Sequence, residues 1–119
     1  MIERDQAVAA VQRWLDAWNA HDPGKVVAHF ADDVVVSSPL AAQLRPESNG
    51  VLRGKETVLS YYRDGLAASP GLQFTLVEVC LGVDGFTIVY RNHRDIVVTE
   101  ELILRDDDLA SEVRVSYGA

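Results

Sequence analysis

Glu100 stands in the run IVVTEELIL, Ile96 to Leu104, which apart from its neighbour Glu101 is apolar or β-branched. Side chains alternate faces along a strand, so Glu100 shares a face with Ile96, Val98, Leu102 and Leu104. Glu101 shares the opposite face with Val97, Thr99 and Ile103. A carboxyl enclosed by apolar groups loses the hydration of its charged form. Its pKa rises, and it becomes a proton donor or acceptor near neutral pH. The plainer alternative is a carboxylate at an open rim, or one paired across strands with Arg91 or Arg114.

The densest polar stretch is YRNHRD, Tyr90 to Asp95. Tyr90 and Asn92 share parity with Phe86 and Ile88, the more apolar set, which places a hydroxyl and an amide inside. His93 then points outward with Arg91, unless a bulge exchanges the faces. His21 and His29 are eight apart and His93 has no HxH or HxxxH partner, so no metal site is expected. Asp106, Asp107 and Asp108 read as a solvated turn, without the glycine and distant Glu of a calcium loop. VLRGKE is a helix start and not a phosphate cradle. Trp14, Trp18 and Tyr62 form an aromatic set, read as core for Trp18 and as core or cavity wall for Trp14 and Tyr62. No cofactor is required by any of these groups.

The elements that must position these residues follow from periodicity. Ala7, Val11, Trp14, Leu15 and Trp18 recur at helical spacing over about Asp5 to Ala20. HDPGK breaks that helix, and a second short one carries Val26, Val27 and Phe30. VVVS is a short strand closed by Pro39. Leu40 to Gly54 has no clean period and reads as a long loop or broken strand. A third helix runs from about Lys55 to Ala67. Four alternating segments follow: Gln73 to Leu81, Phe86 to His93, Ile96 to Leu104 and Ser111 to Tyr117. The layout predicts an α+β fold, a single domain over residues 1–119, with three N-terminal helices on a curved, mostly antiparallel sheet. A sheet bent around small helices leaves a cone-shaped apolar cavity, the kind of site where small molecules bind.

The totals narrow the partners. With 119 residues and 48% hydrophobic residues, the chain suffices for one core. A formal net charge of −7 disfavours nucleic acid and anionic membranes. The single cysteine, Cys80, makes no internal disulfide and fits a reducing compartment. The N-terminus does not read as a signal peptide and no run is long enough to span a membrane, so a cytoplasmic location is expected.

AVQRWLDAWNAHDPGKVVAHFADDVVVSSP resembles the opening of ketosteroid isomerase and SnoaL-like polyketide cyclase domains of the nuclear transport factor 2-like superfamily. VLRGKETVLSYYRD and VTEELILRDDDLASEVRVSYG are similar to the later parts of the same domains. The resemblance implies roles for three positions. Trp14 stands at the position of a tyrosine that donates to the oxyanion. Ser38 stands at the position of the general-base aspartate. Glu100 stands at the position of a second, protonated acid. Serine has no basicity near neutral pH, so steroid isomerisation is not expected. The reading is a small-molecule enzyme using proton transfer on a hydrophobic substrate, with Glu100 catalytic and Trp14, Ser38, Tyr62, Tyr90 and Asn92 contacting substrate. The alternative is a binding or assembly domain without turnover. The face of Val97, Thr99 and Ile103 is expected to form a homodimer.

Overall fold

A computed structural model describes residues Met1–Ala119. Helix α1 spans Arg4–Asn19 and buries Ala7, Val11, Trp14, Leu15, Ala17 and Trp18, the stripe that its periodicity predicts. Gln6 turns back at its start to accept the Glu3 backbone N–H at 3.3 Å. The short α2, Pro23–Val26, begins at Asp22, whose side chain accepts the Lys25 N–H, and runs into a 3-10 turn, Val27–His29. Strand β1 follows, Phe30–Ser37.

The stretch after β1 is more structured than its lack of period suggests. Helix α3 covers Pro39–Leu44, a 3-10 turn Pro46–Ser48, and strand β2 Val51–Arg53. Pro39 both ends the strand and opens a helix, because its missing N–H costs nothing at a first helical position. There are therefore four α-helices where three were expected. Helix α4 covers Lys55–Ala68 and buries Val58, Tyr61, Tyr62 and Leu66.

Strands β3, Thr75–Leu81; β4, Gly85–Arg91; β5, Val97–Leu104; and β6, Ala110–Tyr117, complete one six-stranded sheet. Its order is β2-β1-β6-β5-β4-β3. All pairs are antiparallel except β1 with β6, so the sheet is mixed and mostly antiparallel, with the helices packed on one face. Two rows of inward side chains matter for the site. Val115, Glu100, Ile88 and Val79 pair successively across β6, β5, β4 and β3, and Val113, Leu102 and Phe86 form the row beside it, which runs out to the exposed Leu81 on the edge strand β3. The close fit of β4 against β5 depends on Gly85. A Cβ built there would sit 1.8 Å from the Leu102 carbonyl oxygen. No helix is long and apolar enough to cross a membrane.

Candidate functional site

Strand parity delivers Glu100 to the helix-covered face. The residue is 4% exposed, while Glu101 on the other face is exposed. Tyr90, on the neighbouring strand, donates its hydroxyl to Glu100 Oε2 at 2.6 Å. Two effects then oppose each other. Burial pushes the carboxyl from an ordinary 4.5 up to about 7, and the Tyr90 hydrogen bond pulls it down. Burial is the larger effect, because an ionised carboxylate loses far more hydration than one phenol restores. Neither Arg91 nor Arg114 pairs with Glu100: Arg91 meets Asp95 and Arg114 meets Glu112.

All four tyrosines of the chain feel Glu100. Burial raises each phenol first, Tyr61 up to about 12 and Tyr62 and Tyr90 well above their usual range, and the nearby carboxylate adds to it. Tyr117 is raised by burial and then by Glu100. Ser38 lies against Tyr61 and Tyr117 and partly offsets the rise in both. Ser38 is itself buried, at 7% exposure, one residue beyond the last β1–β6 pair, Ser37 with Arg114. It shares a small open hollow with Val115, which pairs with Glu100. The Tyr90 phenol thus meets the Glu100 carboxyl directly, and Tyr61, Tyr62 and Tyr117 lie near enough to feel its charge, with Ser38 beside Tyr61 and Tyr117. The convergence of Tyr61 and Tyr117 with Glu100 has no signature in spacing, and neither was singled out from the sequence.

Trp14, Trp18, Tyr62, Phe74 and Tyr90 form a continuous aromatic cluster. Trp14 meets Tyr90 edge-on at 5.3 Å, Trp18 meets Tyr62 at 4.7 Å, and Phe74 meets Tyr90 at 4.4 Å. Trp18 Nε1 is the only fully occluded side-chain nitrogen or oxygen without a partner. Other oxygens of the site are therefore either paired or not sealed.

A cavity of about 830 Å³ lies along the other side of α1, between that helix, the segment Lys25–Phe30 and the inner faces of β4, β5 and β6. Trp14, Phe86, Ile88 and Leu102 line it, so Trp14 is both packed in the core and exposed to the cavity. Glu100 and Tyr90 do not line it. Ile88 pairs directly with Glu100 and Trp14 touches Tyr90, so these two side chains are the partition between cavity and carboxyl.

Tyr62 and Ser38 join the polar cluster; Asn92 does not. Strand β4 ends at Arg91, and Asn92 Oδ1 accepts the backbone N–H groups of Arg94 and Ile96 to close the turn to β5. Parity loses meaning once the strand stops, and an asparagine at that point serves the turn. His93 is exposed in the same turn. His21 bonds the Leu72 carbonyl at 2.9 Å, and His29 lies at the cavity rim. No three His, Cys, Asp or Glu side chains come together as a metal site.

Comparison with known proteins fits this geometry. The SnoaL-like domain family pattern matches residues 11–115. A SnoaL-like protein of unknown function from Burkholderia thailandensis E264 is similar at 34% identity, with a TM-score of 0.94 over 99% of this chain and 98% of that one. An NTF2-like protein of unknown function from Mesorhizobium loti shares the fold at 19% identity and a TM-score of 0.74, covering 100% and 97%. Bal32a, from a soil-derived mobile gene cassette, does so at 16% identity and 0.77, covering 95% and 89%. No curated protein matches the sequence. The chain shares its fold with NTF2-like proteins and belongs to the SnoaL-like domain family.

Proposed function

We propose that residues 1–119 form a single small-molecule enzyme domain that moves a proton on a hydrophobic substrate, with Glu100 as its acid–base group. The observation that carries this reading is the Glu100–Tyr90 pair: a buried carboxyl poised at about 7, held by a 2.6 Å phenol hydrogen bond. A group with a pKa near the working pH serves best as general base and then as general acid. As carboxylate, Glu100 takes a proton from a carbon next to a carbonyl. The electron pair of that C–H bond moves to the carbonyl oxygen as an enolate. Glu100 then returns the proton to a different carbon in an isomerisation, or to a departing hydroxyl in a dehydration. The phenols and Ser38 supply hydrogen-bond donors to the charged oxygen. Serine offers no second base, so one carboxyl serves both transfers. The sheet, in this proposal, curves as a cone around the helices, and the substrate's apolar body occupies the 830 Å³ cavity. Its reactive end reaches Glu100 once Trp14 turns aside.

One observation favours a second reading. Glu100 and Tyr90 lie behind Trp14 and Ile88 and not in the cavity wall. A domain that only binds a small apolar molecule, or only assembles, needs no access to them. The test is exchange of carbon-bound hydrogen in heavy water across a panel of hydrophobic ketones. The enzyme reading expects exchange with the wild-type protein and none with Glu100→Gln. Binding without exchange across the panel selects the second reading.

A further inference from the structure

We infer that Ser38, Tyr61 and Tyr117 hold one oxygen of an uncharged ligand, such as a ketone carbonyl, beside Glu100. This rests on the reading of Glu100 as the reactive end of a ligand site, and not on turnover there. Tyr117 pairs with Val98 of β5 from one side, and Tyr90 pairs with it from the other. The two phenols therefore stand diagonal to Glu100 on opposite sides, all on the inner face. Ser38 follows Ser37, the last residue of β1 paired with β6, and shares a hollow with Val115, the partner of Glu100. Tyr61, from α4, stands beside Ser38.

Tyr90 is spent on Glu100. The hydroxyls of Ser38, Tyr61 and Tyr117 are not: they close no hydrogen bond of ordinary length and angle, with one another or with any other group of the chain. Ser38 and Tyr61 are each only 7% exposed, yet neither oxygen is sealed off. Tyr117, 37% exposed, is the side of the group that faces water. Unpaired hydroxyls on residues so deeply buried are costly unless something else bonds them. A single oxygen with two lone pairs, placed among the three, accepts from two of them at once. The hollow beside Ser38 and Val115 is about 260 Å³, enough for one end of a small molecule.

The surrounding charges select an uncharged oxygen. The Glu100 carboxylate acts on Tyr61 and Tyr117 alike, so it repels an anion placed between them. Arg45 lies 5.8 Å over the Tyr61 ring, but its guanidinium is already paired with Asp64 of α4. What Arg45 supplies is a ring held in place, with its hydroxyl set as a donor.

Amide NMR titrations with 1-tetralone, tetralin and 1-naphthoate at pH 8 test this. The wild-type protein should bind tetralone about tenfold more tightly than tetralin, and naphthoate no more tightly than tetralin. The largest shifts should fall at Ser38, Val115 and Tyr117. Ser38→Ala/Tyr61→Phe removes two donors and no ring, so it should lose the preference and keep tetralin binding. Each single variant should lose about threefold in tetralone affinity, which keeps the test alive if the pair does not fold. Equal affinity for tetralone and tetralin, as water alone at the three hydroxyls would give, overturns the inference. So does a preference that survives both substitutions, tighter binding of naphthoate, or shifts gathered instead at Ala10 and Leu104 of the larger cavity. Exchange of the tetralone α-hydrogens that depends on Glu100 but not on Ser38 or Tyr61 also overturns it, while leaving the proton-transfer reading standing. Tetralone preference at Ser38 without any exchange supports it and removes that reading instead.

Discussion

Tyr90 and Glu100 are not cross-strand partners, yet their side chains meet at 2.6 Å. Tyr90 pairs with Val98 and Glu100 with Ile88, so the phenol reaches diagonally along the inner face of the sheet. Aromatic side chains span that diagonal readily. The bond favours the ionised carboxyl and works against burial. Tyr90→Phe keeps the ring and its packing while removing the hydroxyl. Glu100 should then titrate above its wild-type value of about 7. Urea unfolding should show a loss of roughly 1.5–3 kcal/mol at pH 8, where the carboxylate accepts the bond, and a smaller loss at pH 4. An equal loss at both pH values would show that the hydroxyl does not act through the carboxylate.

Trp14 separates the cavity from the polar cluster. Trp14→Ala should cost roughly 3–5 kcal/mol by leaving an unfilled space in the aromatic cluster. It should also admit water toward Glu100 and lower its pKa toward 4.5, since desolvation is the main cause of the rise. Denaturation and carboxyl titration of the same variant check both halves. A destabilised variant whose Glu100 still titrates near the wild-type value would locate the partition elsewhere.

Gly85 admits no side chain without moving β5, because the obstacle is the Leu102 backbone carbonyl. Gly85→Ala should destabilise by roughly 3 kcal/mol, the upper part of the range for overpacking. Gly65 is the control: a Cβ there meets nothing within 4 Å, and it lies inside α4. Gly65→Ala should be neutral or stabilising by up to about 1 kcal/mol. Thermal unfolding of the pair checks the contrast.

Much of this was legible in the chain. The three- and four-residue spacing from Ala7 to Trp18 is the buried stripe of α1, and alternation placed Glu100 inward and Glu101 outward. What was not legible has physical reasons. Parallel pairing of β1 with β6 joins residues as far apart in the chain as Phe30 and Ala110, and periodicity carries no information about partners. Pro39 reads equally well as a strand's end and a helix's start, so α3 went unseen. Asn92 has inward parity only if its strand continues, and the turn claims its side chain first. The meeting of Tyr61, Tyr117 and Ser38 is a tertiary event among elements of different period.

The outer face of the sheet carries Val97, Thr99 and Ile103, each half-buried with no helix over it. We propose that a second copy of the chain covers this face. Sedimentation should give a dimer at micromolar concentration, and Ile103→Glu, which adds like charges across a two-fold contact, should give a monomer with the fold intact. A wild-type monomer at high micromolar concentration would contradict the proposal.

The central claim is that Glu100 is a buried acid–base group, and its own titration tests that most directly. A raised folded-state pKa means that the fold binds this proton more tightly than the unfolded chain does. The stabilisation is complete below the unfolded value of 4.5 and is lost as pH rises through the folded value of about 7. Across that window it amounts to roughly 3 kcal/mol. Glu100→Gln keeps an acceptor for Tyr90 and removes the charge, so it should flatten this slope and equal or exceed the wild type at pH 8. The decisive measurement is the side-chain carboxyl resonance of Glu100 followed by NMR from pH 3 to 9, assigned by its absence in Glu100→Gln. The expected midpoint is near 7. A midpoint at or below 4.5 would contradict it and leave the apolar cavity as a binding site without an acid beside it.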